Sequence, residues 1–216
     1  MVFNLVVLLC CSGPILNICP MNFDSAERIK ASKPETRFTL MTYNVMELYD
    51  YNGTTWDEKN NRDKTVRYMI DSGCDIIAYQ EAYNIHALGY PGTSNETIQD
   101  LRKEYPYLAR TPNSYVGLLS KYPVKCVPIN LADTNSFIVG CYEVDINGKI
   151  ITIINVHLQS IGLNTDDKNL YRELTKGEKV NMDTVRHTLL HKLKVAFKAR
   201  ARQAIKLRHF INELQG

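Results

Sequence analysis

The sequence predicts an α/β or α+β domain built around sizeable β-sheets. With 216 residues, 44% of them hydrophobic, the chain is long enough and apolar enough to bury one substantial core. Short apolar, β-branched runs that are typical of strands dominate the first two-thirds of the chain, with helical patterns between them. The net charge of +3 is too small to indicate a class of partner by itself.

The first elements are a strand, a helix and a second strand. Arg37–Val45 alternates between apolar and polar residues, which predicts a strand. Asn60–Ser72 has apolar residues at helical spacing, and Gly73 is a typical stop signal for that helix. Cys74–Gln80 is a short apolar run that predicts the second strand.

Two further helices are predicted from their end signals and periodicity. Thr93–Glu96 has the spacing of a capping box, and the helix that it opens should run through Tyr105 and end before Pro106. A long helical pattern covers Asn181–Leu214.

Four more strands are predicted between these helices. Tyr115–Ser120 and Val124–Ile129 are expected to pair with each other across a short proline-containing turn. Phe137–Val144 and Lys149–His157 are expected to form a hairpin, since the Asn-Gly dipeptide within Asp145–Gly148 is a strong turn signal.

The chain divides by composition into three parts. Residues 1–21 are apolar, but Val2–Cys11 is shorter than a membrane span and no Lys or Arg precedes it, as a secretory signal would require. We interpret them as a membrane-proximal remnant or weak anchor, with a cleaved signal as the alternative. Residues 22–36 are polar and are expected to form a linker, and residues 37–216 form the domain.

Polar side chains follow three of the predicted strands. Asn44, Glu81 and His157 each stand at the end of an apolar run, and loops at the edge of a rigid sheet commonly carry function. Amide and carboxylate oxygens suit Mg²⁺ or Mn²⁺, and a nearby histidine can act as a general acid. Each residue also has an ordinary structural explanation: a turn cap, a surface ion pair and a core histidine bonded to a carbonyl.

Four motifs in order resemble the endonuclease/exonuclease/phosphatase superfamily of metal-dependent phosphoesterases. The resemblance covers about Arg37 to the C-terminus, and its last motif, His-Leu-Gln-Ser, is most similar to the sphingomyelinase-like branch. The whole chain also resembles bacterial members in which this domain follows membrane helices. The motifs are Thr42-Tyr-Asn-Val45, Asp75-Ile-Ile-Ala-Tyr-Gln-Glu81, Gly117-Leu-Leu-Ser-Lys-Tyr-Pro-Val124 and Asn155-Val-His-Leu158.

The resemblance implies a fold, a reaction and a location. The fold is a four-layer α/β sandwich of two packed β-sheets with outer helices. The reaction is Mg²⁺- or Mn²⁺-dependent hydrolysis of a phosphoester, whether nucleic acid, phospholipid or sugar phosphate, with no obligate protein partner. The location is membrane-associated or extracytoplasmic in a bacterium, with a cytoplasmic location as the alternative.

The resemblance also implies roles for individual residues. Glu81 and Asn44 match the metal-site residues, and His157 matches the histidine that contacts the scissile phosphate and assists the leaving group. The remaining predicted site residues are substrate contacts, and these are Asn155, Gln159 and Arg202. Asn155 and Gln159 should lie on the same side of the chain as His157, because strand side chains alternate.

One departure from the superfamily pattern bears on activity. Its members continue past a helix like Lys192–Leu214 into a strand that ends in Gly-Asp-Phe-Asn, and later into Ser-Asp-His, which supply the residues that orient the attacking water. This chain ends at Gly216 without an Asp-x-Asn of that kind after an apolar strand, since Asp145–Asn147 falls in a predicted hairpin turn. We therefore expect the front portion of such an enzyme, with its C-terminal part missing and little or no activity alone.

The C-terminal segment is strongly basic. Between Thr184 and Asn212 there are eight Lys or Arg residues and no acid. A helix of this composition could bind nucleic acid or an anionic membrane, which would give the chain a non-catalytic binding role. The alternative is an amphipathic helix that packs apolar residues, Phe197 among them, on the sheets and leaves its charges in water.

Overall fold

The computed structural model describes residues 37–48, 50–51, 56–82, 85–88, 94–110, 115–129, 138–177 and 180–215. The predicted apolar segment, residues 1–21, and the predicted linker, residues 22–36, lie outside the described residues. The chain divides into two compact units, residues 1–38 and 39–216, and all of the described helices and strands lie in the second.

The described residues form a mixed α/β fold, which confirms the predicted class. One sheet has four strands in the order β1-β4-β6-β5, a second has three in the order β7-β8-β9, and β2 and β3 form a short ladder. The strands are β1 (Leu40–Asn44), β2 (Asp50–Tyr51), β3 (Trp56–Asp57), β4 (Ile76–Gln80), β5 (Tyr107–Arg110), β6 (Val116–Ser120), β7 (Val124–Val127), β8 (Ile138–Ile146) and β9 (Lys149–His157).

The helices agree with the predicted ones and add one more. No described helix is both long enough and apolar enough to cross a membrane. The helices are α1 (Glu58–Asp71), α2 (Asn95–Glu104), α3 (Thr165–Thr175) and α4 (Met182–Thr184), which continues through a π-helical segment (Val185–Leu190) into α5 (His191–Gln215).

Helices α1 and α2 cover one face of the four-stranded sheet. Val66 and Met69 of α1 and Ile98 and Leu101 of α2 are fully buried in one cluster with Tyr79 of β4. Each such side chain contributes roughly 1.5–3 kcal/mol by leaving water. The helical spacing of Val66, Met69 and Ile70 predicted that they face inward, and the structure buries the first two fully and the third partly.

The predicted pairing of β6 with β7 is wrong. Strand β6 pairs with β4 and β5 in the first sheet, whereas β7 pairs with β8 in the second. The segment between them is therefore a crossing between sheets and not a hairpin turn. Lys121 N donates to Asp75 O at the first sheet, and Pro123 O accepts from Asp145 N at the second.

The predicted hairpin of β8 and β9 is confirmed. The two strands pair antiparallel over nine residues each, from Ile138 opposite His157 to Ile146 opposite Lys149. Asn147 and Gly148 form the turn with φ of 55° and 85°, and this left-handed conformation is what a two-residue hairpin requires.

Two helix starts differ from the prediction. The cap of α2 is Ser94, whose side chain accepts from Thr97 N, so the helix begins one residue later than Thr93 predicts. Helix α3 was not predicted. It begins with a capping box in which Asn164 and Asp167 bond to each other's backbone N–H groups. The sequence carried that signal, but with Asp in place of the usual Glu or Gln.

A histidine is held beside α2 in a poorly solvated position. Arg102 donates to the carbonyl oxygen of His86, and His86 Nε2 is buried without a hydrogen-bond partner in the described part of the chain. Burial lowers the pKa of His86 from 6.5 to about 4, and the charge of Arg102 acts in the same direction.

We expect His86 to make the fold acid-labile. Its pKa is lower in the folded than in the unfolded chain, so the unfolded chain takes up the proton first. The free energy of unfolding is therefore not reduced by His86 above pH ~6.5. As the pH falls towards ~4, protonation of His86 in the unfolded chain lowers it by about 3 kcal/mol at most. His86→Leu should flatten the urea-unfolding free energy across this pH range, whereas His209→Leu, at an exposed position of α5, should not. If the free energy of unfolding of the wild type and of His86→Leu changed equally with pH, His86 would not be the source of the acid lability.

Candidate active site

The three polar residues at strand ends lie together. Asn44 Nδ2 donates to Glu81 Oε1 at 2.8 Å, and His157 Nε2 lies 3.5 Å from the same oxygen. The second distance permits an ion pair when the histidine is protonated but is too long for a well-formed hydrogen bond. The side chains of Glu81 and His157 are 30% and 24% exposed, so both reach solvent.

Parallel pairing within the first sheet brings Asn44 and Glu81 together. Strands β1 and β4 run parallel with Asn44 opposite Gln80, which places the following residue, Glu81, at the same edge. Asn44 Oδ1 accepts from Met46 N, so the amide is held by the turn that follows β1. Its NH₂ group is then directed at the carboxylate of Glu81.

Glu81 itself has a strained backbone. Its φ is 60°, in the left-handed region that costs a residue with a side chain of the order of 1–3 kcal/mol. Neighbouring bonds hold this conformation: Glu47 N donates to Glu81 O, and Ala82 N donates to Tyr115 O. Strain that persists against such a cost is common at functional positions.

Packing between the two sheets brings His157 to the other two residues. Asn155, two residues earlier on β9, donates from Nδ2 to Tyr79 O at 2.8 Å and to Gly117 O at 2.9 Å. Its Oδ1 accepts from Gln80 Nε2 at 2.7 Å. Asn155 is 3% exposed, so its amide joins the sheets and fixes the strand that ends in His157. Asn155 was predicted to contact substrate, but in the structure its buried amide positions the strand that carries His157.

A cavity of about 570 Å³ opens beside these residues. Its polar lining includes one carboxylate, one histidine and two cationic side chains, and Leu158, Ile161 and Leu163 supply an apolar wall. The charged and titratable lining residues are Glu81, His157, Lys168 and Arg200.

Arg200, and not the predicted Arg202, faces the cavity. Two residues along a helix turn through about 200°, so these arginines leave α5 in nearly opposite directions. Arg200 Nε donates to Gln159 O at 3.0 Å, which holds its guanidinium at the cavity. Arg202 and the side chain of Gln159 are exposed and do not line it.

Two cavity cations were missed as site residues. Arg200 was one of eight basic residues in a continuous segment, and the helix phase that selects it depends on which side of α5 is buried. Buried Gln203 fixes that phase, since its Oε1 accepts from Gln159 N at 3.0 Å. Lys168 lies in α3, next to the capping-box residue Asp167.

The oxygen donors at this site suit a hydrated divalent cation. Among the described residues no group of three or more His, Cys, Asp or Glu side chains could hold a metal ion. Mg²⁺, however, keeps several waters and takes one or two carboxylates. Glu81 Oε1 receives the Asn44 amide, and Oε2 of the same carboxylate makes no hydrogen bond within the described residues. Glu81 can therefore bind such an ion, with Asn44 orienting the carboxylate.

Comparison with known proteins gives no assignment: no protein-family model matches the chain, and no curated protein is significantly similar to it.

We expect Asn155→Ala to destabilise the fold by roughly 2–4 kcal/mol, because it removes three buried hydrogen bonds, one from the Gln80 amide and two to backbone carbonyls. Thr152→Ala, at an exposed position of the same strand, is the matched control and should change the free energy of unfolding by less than about 0.5 kcal/mol. Urea unfolding at neutral pH measures both. Equal stability of the two variants would contradict the proposed role of Asn155 in joining the sheets.

Proposed function

We propose that this chain is a metal-dependent phosphoester hydrolase of the endonuclease/exonuclease/phosphatase type. The observation that supports it best is that three strand ends bring their polar side chains together. Asn44 Nδ2 lies 2.8 Å and His157 Nε2 lies 3.5 Å from Glu81 Oε1. The cations of the adjoining cavity suit a phosphoryl group. The four motifs that resemble the superfamily include these same three residues.

We also propose the four-layer arrangement of that superfamily. Two layers are the packed sheets, since β4 contacts β9 and β6 contacts both β8 and β9. Helices α1 and α2 supply an outer layer on the first sheet. The helix α5, bonded through Gln203 to the segment after β9, supports the assignment of the other outer layer.

The site residues have distinct chemical roles in this proposal. His157 can donate a proton from Nε2 to the leaving-group oxygen. Arg200 and Lys168 attract the substrate phosphoryl oxygens and orient them in the cavity. The chemistry that Mg²⁺ or Mn²⁺ would supply when bound by Glu81, with Asn44 orienting the carboxylate, is polarisation of a phosphoryl oxygen.

A second candidate function is phosphoester binding without turnover. The observation that favours it is that Glu81 is the single carboxylate among the described residues that line the cavity. If Glu81 binds the cation, no second acid among those described residues is left to orient an attacking water. We therefore expect turnover to be slow.

We expect Glu81→Gln to weaken Mn²⁺ binding at least ~10-fold and to lower Mg²⁺-dependent hydrolysis of bis(4-nitrophenyl) phosphate at least ~100-fold, because it removes the one charged ligand. His157→Ala should lower hydrolysis by roughly 100-fold and leave Mn²⁺ binding within about two-fold, since its proposed role is proton transfer. Electron paramagnetic resonance of free Mn²⁺ measures binding, and 4-nitrophenolate release measures turnover.

Glu104→Gln, a carboxylate paired with Lys121 away from the cavity, is the matched control and should change neither quantity. Turnover that survives both site substitutions would contradict the catalytic proposal. Mn²⁺ binding that depends on Glu81 without any turnover would establish the second candidate instead.

We expect Arg200→Ala to weaken binding of inorganic phosphate about 10-fold, because a charged hydrogen-bond donor at the cavity is lost. Arg202→Ala is matched in charge and helix, and should leave the affinity within about two-fold, since Arg202 does not line the cavity. Phosphorus-31 NMR titration measures both. Equal losses would show that the positive charge of α5 as a whole, and not the cavity geometry, holds the phosphate.

A further inference from the structure

Large apolar side chains of α5 are directed into solvent. Val195, Phe197 and Ile205 are 53%, 56% and 57% exposed. Of the apolar residues expected to pack on the sheets if this helix is amphipathic, Leu189 and Ala196 are buried, but Phe197 is not. The buried side of the helix is formed by Ala196, Gln203 and others.

Four cationic side chains share this exposed side. Lys194, Lys198, Arg202 and Arg208 are exposed, and their charged ends make no hydrogen bond or ion pair within the described residues. No acid occurs between Thr184 and Asn212 to neutralise them.

The seven residues form one continuous surface. At about 100° per residue they fall within an arc of roughly 160°, with Ile205 among the cations and Phe197 and Val195 at the two edges of the arc. We call this surface the outer face of α5. It consists of Lys194, Val195, Phe197, Lys198, Arg202, Ile205 and Arg208.

The composition of this face decides between polyanionic partners. A nucleic acid would pair its phosphates with the cations but would leave Phe197, Ile205 and Val195 in water or against charged backbone. At the surface of an anionic bilayer, the apolar side chains enter the acyl boundary while Lys and Arg reach the headgroup phosphates. Of these two partners, only the anionic bilayer accommodates both the cations and the apolar side chains of the face.

We propose that the outer face of α5 binds an anionic lipid surface, with the helix lying in the plane of the headgroups. Phe197 and Ile205, about 80° apart around the helix, insert below the phosphates, and the four cations bind those phosphates. The proposal is independent of phosphoester hydrolysis, because its residues do not line the cavity. Since Arg200 of the same helix does line it, binding would hold the candidate active site close to the lipid surface.

The test is flotation of the full chain with two kinds of vesicle, phosphatidylcholine alone and an equimolar mixture with phosphatidylglycerol. Reversal of the four cations should weaken binding to the anionic vesicles at least ~600-fold, since each cation contributes roughly five-fold at such a surface. The matched control reverses four exposed lysines elsewhere and should bind like the wild type. The test variant is Lys194→Glu, Lys198→Glu, Arg202→Glu and Arg208→Glu, and the control is Lys64→Glu, Lys103→Glu, Lys149→Glu and Lys176→Glu.

A second pair of variants tests the apolar half without changing charge. Phe197→Ser with Ile205→Ser should weaken binding to anionic vesicles at least ~30-fold, through lost burial of two large side chains. Ile150→Ser with Tyr171→Ser, at positions 55% and 54% exposed in other elements, should leave binding unchanged. Circular dichroism and thermal unfolding check that each variant is folded. If the charge-reversed variant does not fold, the variant with Phe197→Ser and Ile205→Ser still tests the proposal.

Preferential binding to anionic vesicles that both test variants lose would support the proposal. Equal binding to neutral and anionic vesicles would overturn it and assign the interaction to the apolar residues 1–21, which all variants retain. No binding by the wild type would also overturn it. Salt-dependent binding of duplex DNA that needs the four cations but not Phe197 and Ile205, without vesicle binding, would assign the face to nucleic acid instead.

Discussion

The buried amide pair of Gln80 and Asn155 is the interaction on which the rest of the structure depends. Through it the two sheets make a buried polar contact, and the hydroxyl of Tyr142 in the second sheet makes another by donating to Val116 O in the first. A buried amide is costly unless every group is bonded, and here the carbonyls of Tyr79 and Gly117 accept both protons of Asn155. Only one relative position of the sheets satisfies all of these bonds, so the pair fixes where β9 ends.

The candidate site follows from that constraint. Parallel pairing sets Asn44 beside Glu81, but His157 belongs to the other sheet and reaches them only because Asn155 is held in place. The strained backbone of Glu81 then turns its carboxylate towards the two neighbours. A rigid sheet interface and a local left-handed turn thus act together to bring three side chains to one oxygen.

The rotation of helix α5 about its own axis decides which of its side chains face the cavity and which face solvent. Gln203 is buried against the segment after β9, and this contact rotates Arg200 towards the cavity. The same rotation directs Arg202 and Phe197 to solvent. Positive charge along a helix therefore has no single role, because residues two positions apart face different surroundings.

The sequence by itself determined the α/β class, the β8–β9 hairpin and the three polar strand ends, since these depend on local periodicity and turn chemistry. Tertiary structure alone decided that the strands on either side of Lys121–Pro123 belong to different sheets, because strand patterns do not encode partners. It likewise decided that Asn155 is a buried bridge and that Arg200, not Arg202, faces the cavity. Those outcomes depend on which faces become buried, and burial is a property of the whole packed chain.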